Sequence, residues 1–274
     1  MRAKIKFNYL SHGMLLLISA MVNLPFFWMV STSLKSKVEV FTFPPSWFPA
    51  VLIWENYVRA WNAVPFGRFF LNSIIVSTAI TVGQLLICSL AAYSFANLTF
   101  KGKHFLFFMF LGTAMLPSEV LLIPNYLVMR QLGWIDTYAA LTVPFLANAF
   151  TIFLLRQFFL TIPKELKDAA LIDGCGHLRY LWGIVMPLSK PALLTAGLFT
   201  FMNSWNEYLW PLVVTNEEMM RTVQVGLAVF QTAWQTEWTQ LMAASTFVTI
   251  PVIIFFLFVQ RQFIEGISMT GING

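Results

Sequence analysis

The chain has 274 residues, of which 58% are hydrophobic and only 11% charged, with 28 Phe and 10 Trp. A soluble domain carries about 25% charged residues, so a water-facing globule is excluded and lipid is the natural solvent for much of this surface. The net charge of +5 has no polar domain with clustered Lys and Arg behind it, which excludes a nucleic-acid-binding protein.

A spanning helix needs roughly 20 predominantly apolar residues. Six segments qualify: 12–33, 69–97, 104–123, 138–160, 191–214 and 241–260. The opening MRAKIKF followed by apolar residues has the charge layout of a signal peptide, but the apolar run passes Pro25 and reaches Ser33 without an A-x-A-like site. The expectation is a retained first span. The third segment contains Pro117 and Glu119 and stops at Pro124, so its outer end is expected to bend or unwind. Irregular backbone at that depth survives only where protein or a water-filled cavity covers it. Pro144 and Pro251 mark further expected kinks. Cys88 lies in an apolar run and Cys175 in a polar one. They predict two buried small residues, with neither a disulfide nor a CxxC metal site.

Basic residues are retained on the cytoplasmic side. With the N-terminus inside, the cytoplasmic pieces hold Arg2, Lys4, Lys6, Lys101, Lys103, Arg156, Lys164, Lys167, Arg179, Lys190 and Arg261, eleven in all. The outer pieces hold six: Lys35, Lys37, Arg59, Arg68, Arg130 and Arg221. The fold class is therefore all-α, a polytopic membrane protein with six transmembrane helices and both termini cytoplasmic.

The longest cytoplasmic connection, 161–190, contains KELKDAALIDGCGHLRYLWGIVMP at 164–187. Its pattern predicts two short helices joined by a Gly turn. Pro163 suits a first turn, Glu165 lies near the positive end of the helix dipole, and Gly174 and Gly176 supply the stop. Leu166, Ala169, Ala170 and Asp173 recur at helical spacing and share one face, made shallow by the two alanines. Leu178, Leu181, Trp182 and Val185 form an apolar edge expected to pack beneath the membrane helices. The residues alone fit two readings equally: an interfacial amphipathic connector, or a docking element for another protein.

DAALIDG, nine residues and then IVMP resemble the E-A-A, three residues, G, nine residues, I-x-L-P motif of ABC importer permeases, with Asp168 in place of Glu and Met186 in place of Leu. FFWMVSTSLKS (26–36), AAYSFANLTFKGK (91–103), LPSEVLLIPNYLVM (116–129) and WNEYLWPLVV (205–214) are similar to permeases of the carbohydrate-uptake branch. The likeness extends to maltose-system and glycerol-3-phosphate-type permeases. The resemblance implies the type I importer permease fold, one permease domain over 1–274 with 163–187 as its cytoplasmic coupling loop. It implies that Glu165, Asp168, Ala169, Ala170, Gly174, Ile184 and Pro187 couple the chain to an ATPase. It also implies a second homologous permease, two ATPase subunits and an extracytoplasmic solute-binding protein in a prokaryotic inner membrane, with ATP and Mg on the ATPase partners. The chain itself lacks G-x-x-x-x-G-K-[ST], and His12, His104 and His177 lie in unrelated settings. No catalytic or metal residue and no cofactor of its own is expected. The rival class is a self-contained channel or secondary transporter, for which inverted repeats or a proton relay are not visible.

Polar residues inside a span are costly and mark solute paths by default. Glu119 and Glu207 qualify, and Asn203, Asn206, Glu207 and Trp210 follow one helical stripe in the fifth span. On one continuous helix that stripe rises from ~18 to ~29 Å above Pro191. Asn148 in the fourth span is a further candidate. Amides also join helices to one another within membranes, and Trp205, Tyr208 and Trp210 also fit an interfacial aromatic belt. Neither use is separable from a solute path at this level. The spans lack central Lys or Arg, which favours a neutral polyhydroxy solute over an anion. Outside, loops 34–68 (Trp47, Trp54, Trp61) and 215–240 (Glu217, Glu218, Glu237) are candidate contacts for the binding protein, and lipid contact fits the first equally well. The tail after Phe263 is expected to reach the ATPase.

Overall fold

The computed structural model describes residues 9–231 and 236–270. Among the described residues the regular secondary structure is helical apart from one isolated bridge between Gln231 and Thr236. The helices are α1 (Tyr9–Ser33), α2 (Glu55–Ala63), α3 (Phe66–Asn97), α4 (Lys103–Thr113), α5 (Leu122–Gln131), α6 (Tyr138–Thr142) and α7 (Ala149–Leu160). They continue as α8 (Lys164–Ile172), α9 (His177–Tyr180), α10 (Met186–Leu188), α11 (Lys190–Asn206), α12 (Leu209–Val214), α13 (Val223–Ala228) and α14 (Trp238–Thr270).

Three helices are each long and apolar enough to cross a membrane: Ser11–Ser33 in α1, α3, and Trp238–Leu257 in α14. Three bent pairs reach the same standard together, with bends of 93° between α4 and Ser118–Gln131, 46° between Tyr138–Phe145 and α7, and 82° between His177–Leu188 and α11. The third expected span therefore bends at its outer end, as Pro117 led one to expect. It breaks after Thr113 and restarts through Ser118–Leu121 into α5, which fills most of the expected connection 124–137. Pro117 stands as N-cap of the restart, where its missing N–H leaves no bond unmade. The fourth breaks around Pro144, as its ring demands. The sixth runs on through Pro251 to Thr270, so the expected tail is helical that far. Residues 271–274 and the basic N-terminal positions Arg2, Lys4 and Lys6 lie outside the described residues.

The chain divides into two compact units. One comprises residues up to 65 together with 227–250. In it α1 is apolar on every side and exposed over residues 11–27, with Leu16 73% exposed, as suits a lipid-facing helix. The segment after α1 folds back on its end. Asn56 donates to the Ser33 and Lys35 carbonyls (2.9 Å each) and Ser31 donates to the Trp47 carbonyl at 2.6 Å. Lys35 is 1% exposed and its ammonium rests over the Trp28 ring at 4.2 Å. Burial pushes its pKa down, against the opposing pull of the Glu39 carboxylate. Trp47, Trp54 and Trp61 remain exposed, and Glu237 pairs with Lys37.

The other unit holds 66–226 and the chain from 251. Its organising element is α3, which packs against α7 and α11. One apolar cluster gathers Cys88, Ala92, Leu155, Leu181 and Val185, and another gathers Val76, Ile80, Leu141, Trp210 and Val214. Cys88 is fully buried as expected, while Cys175 is only half-buried, and both are free thiols.

Candidate functional site

Two places in the second unit carry the residues singled out above. The first is a cavity of about 330 Å³ between α3, the α6–α7 break and α11–α12. The segment that shapes it is the fifth span, and Pro211 decides its course. In a continuous helix the Pro211 ring would strike the carbonyl of residue 207. The helix accordingly ends at Asn206, Glu207 is extended (φ −68°, ψ 125°), and α12 starts at Leu209. Glu207 then turns its carboxylate onto the first turn of α12, accepting from the Trp210 N–H at 3.2 Å. A carboxylate at that helix start also meets the positive end of the dipole.

The expected stripe is thereby broken up. Asn203, Glu207 and Trp210 line the cavity, with Asn148 from the opposite side. Asn206 does not; it donates to the Met202 carbonyl (2.9 Å) and accepts from Gln224 (3.3 Å). Trp210 is 4% exposed, donates its indole N–H to the Ala140 carbonyl at 2.9 Å and packs edge-on against Phe145. It belongs to the core and shows the cavity only one side, so the aromatic-belt reading does not hold for it. Trp205, 2% exposed and stacked on Phe201, leaves the belt for the same reason. Asn148 is the N-cap of α7, its side-chain oxygen accepting from Thr151 N–H at 3.0 Å. Glu119 is exposed on the short turn before α5, bonded to Ser118 (3.2 Å) and away from the cavity lining.

The sequence reading missed the residue that ties this cavity together. Gln84, on α3 and 5% exposed, donates to Thr151 on α7 (2.6 Å) and to Thr200 on α11 (2.9 Å). A lone amide in the middle of an apolar run is the signal that marks it. Ser204 and Thr222 also line the cavity, and their hydroxyls are buried without a protein partner. A buried hydroxyl left unpaired is costly, so water or a hydroxyl-bearing solute in the cavity is the fitting complement.

The second place is the loop from α8 to α10. Pro163 is the N-cap of α8, one position before the helix proper, and Gly174 takes φ +68° to turn the chain toward α9. A residue other than Gly is disfavoured there by its Cβ. The two alanines separate: Ala170 is 6% exposed and packs into the cluster around Leu155 and Leu181, whereas Ala169 faces out. The outward face is instead Glu165, Asp168, Ala169 and Ile172, again at helical spacing, with Ile172 87% exposed. Leu166 is 40% exposed. The expected apolar edge also splits, because Leu181 and Val185 are fully buried while Leu178 and Trp182 are exposed. A helix can bury only one side, and the stretch Leu181–Val185 is a π-helical turn that shifts the register between them. Ile184 is half-buried against the core, and Pro187 begins the last turn at Met186–Leu188.

Anchors invisible in the motif hold this loop. Lys167 donates to the Asn97 carbonyl at 2.8 Å, and His177 shares a 3.0 Å hydrogen bond with the Tyr93 hydroxyl. His177 is thus exposed, as expected, yet bonded to α3. Among the described residues no group of His, Cys, Asp and Glu has metal-binding geometry.

Comparison with known proteins matches residues 3–268 to the family described as binding-protein-dependent transport system inner membrane component. The chain is 38% identical over 256 residues to the probable ABC transporter permease protein YurM of Bacillus subtilis, covering 91% of this chain and 83% of that protein. It is 35% identical over 264 residues to the sn-glycerol-3-phosphate transport system permease protein UgpE of Yersinia enterocolitica, covering 93% and 94%. Among solved structures it is similar to a bacterial ABC transporter involved in the import of the acidic polysaccharide alginate, with TM-score 0.80, 26% identity, and coverage of 95% of this chain and 98% of that one. With a fold that is all-helical among the described residues and a family match over nearly its whole length, this chain belongs to the inner-membrane permease components of binding-protein-dependent ABC transport systems.

Proposed function

We propose that this chain is the six-span permease subunit of an ATP-driven importer for a sugar, oligosaccharide or related polyol or glycerol phosphate, with both termini cytoplasmic. It works beside a second permease, two ATPase subunits that hold ATP and Mg, and an extracytoplasmic binding protein. The observation that carries the reading is the two-sided coupling helix α8. Ala170 and Lys167 fix it to the core, while Glu165, Asp168, Ala169 and Ile172 stand free. A helix held rigidly on one side and bare on the other transmits displacement, so closure of an ATPase dimer pressing on it biases the spans between inward-open and outward-open states. Gly174 lets the helix turn sharply, and Ile184 and Pro187 seat the far end of the loop.

The relatives' names point to sn-glycerol-3-phosphate and to an acidic polysaccharide, both anionic. This chain's own cavity is lined by one carboxylate, Glu207, without Lys or Arg. An anion would need cationic partners there. The lining hydroxyls and amides, Ser204, Thr222 and Asn203, suit a neutral polyhydroxy solute in this half of the path. Glu119 is proposed to act nearer the outer mouth, and Asn206 by holding the outer loop through Gln224.

The test is a mild-detergent purification of tagged chain from its native cells, with partners identified by mass spectrometry. Recovery of an ATPase and a second permease, with the ATPase lost on Ala169→Trp while the chain still inserts, is the expected result. Recovery of the chain alone overturns the reading. The ligand carried by the co-purified binding protein then names the solute.

A further inference from the structure

The last turn of α3 is gripped by three cations from three different elements. Lys103, at the start of α4, donates to the Leu98 carbonyl at 2.8 Å and the Ala96 carbonyl at 3.4 Å. Arg156, on α7, donates through Nε to the Phe95 carbonyl at 3.2 Å and lies 4.2 Å from the Phe107 ring centroid. Lys167, on the coupling helix, takes the Asn97 carbonyl at 2.8 Å. Carbonyls left open at a helix end attract cations, which accounts for one or two of these groups.

It does not account for the sum. The end of a helix carries roughly half a negative charge, against three full positive ones. Lys103 feels the positive charge of both Arg156 and Lys167, and among the described residues none of the three makes an ion pair. The acids of the coupling helix, Glu165 and Asp168, sit on its exposed face. All three cations are half-buried rather than sealed, so an outside group can reach them. Directly beside them α4 presents Phe105 and Phe108, 68% and 67% exposed, with Phe100 at 40%. Uncompensated positive charge next to a bare apolar row has the layout of a headgroup contact above an acyl-chain contact, and basic pockets on the cytoplasmic side of membrane helices bind anionic headgroups.

We propose that Lys103, Arg156 and Lys167 form a seat for the phosphate of an anionic phospholipid in the cytoplasmic leaflet, with its acyl chains along the exposed face of α4. The seat rests on the orientation given above. Because one of its three corners is on α8, the lipid steadies the coupling helix against the end of α3.

The test uses purified full-length chain in neutral detergent doped with phosphatidylglycerol or phosphatidylcholine, with bound lipid counted by native mass spectrometry. Lys103→Gln and Lys167→Gln each keep an N–H donor for the α3 carbonyls and remove one charge. Phosphatidylglycerol is expected to be retained over phosphatidylcholine, with affinity falling about five-fold for each charge removed. Lys103→Arg and Lys167→Arg keep it, and Arg130→Gln, at a distant basic site, leaves it unchanged. Equal retention of both lipids, unchanged binding in the double Gln variant, or loss in the Arg variants overturns the proposal. Displacement by acyl-free glycerophosphoglycerol at equal concentration assigns the cations to a soluble anion instead. A Gln variant that keeps its lipid but loses the ATPase when the transporter is purified whole from cells overturns the proposal in favour of a protein interface. Orientation is read separately, by labelling Lys101→Cys with an impermeant maleimide. Labelling in intact cells sinks the orientation, whatever the lipid count shows.

Discussion

The cavity and the coupling helix both place a few polar residues within an apolar protein, and they use them in opposite ways. Around the cavity the polar groups hold the protein to itself. Gln84 joins α3 to α7 and α11, Asn148 starts α7, and Glu207 starts α12. What remains facing the void is a small set of hydroxyls and one amide. At the coupling helix the long cation Lys167 turns inward onto backbone, while Glu165 and Asp168 are left outside. Near lipid an unmet hydrogen bond is expensive, so buried polar groups must first serve the fold. On the exposed face of α8 water can meet that need, and polar groups are free to meet a partner.

Adjacent alanines offer the sharpest way to break this contrast. Ala170→Leu pushes three extra carbons into a packed cluster and is expected to destabilise the chain by about 1–3 kcal/mol. A lowered unfolding temperature in detergent, together with increased proteolysis of the loop, checks it; an unchanged melting curve would mean α8 is not held as described. Gln84→Leu removes the tie between three helices at a cost of about 1–2 kcal/mol. Solute uptake by the assembled transporter should fall along with thermal stability, and loss of uptake without loss of stability would make Gln84 a solute contact instead. Tyr93→Phe deletes the bond to His177, worth about 1 kcal/mol. Hydrogen exchange should then quicken in 174–180 while α3 stays protected, and uniform protection would show the bond to be idle. Smallest for the fold is Ala169→Leu, expected to stay within about 0.5 kcal/mol because the position is exposed. Its effect belongs to ATPase-coupled uptake, measured in vesicles, and uptake equal to the parent's would remove Ala169 from the docking face.

The sequence disclosed the spans where apolar length alone decides them, as in α1, α3 and α14, because lipid demands a continuous hydrophobic helix. The local form of the polar loop was legible too, since α8 starts after Pro163 and the chain turns at Gly174 as the residues there require. The fifth span was misjudged although the signal was printed in WNEYLWP: Pro211 forbids the helix that the Asn203–Trp210 stripe required. The facing of Ala169 and Ala170 was legible only halfway, since periodicity says which residues share a side but not which side is buried.

Composition and periodicity therefore determined an all-helical membrane chain with a Gly-hinged polar loop, because those properties depend on local chemistry and on the solvent each segment meets. The tertiary structure alone decided that Gln84 meets Thr151 and Thr200, that Lys103, Arg156 and Lys167 converge on one helix end, and that Trp210 is core. Such meetings join residues tens of positions apart through the packing of α3 against α7 and α11, and pairing across packed helices leaves no period in the chain that would announce it.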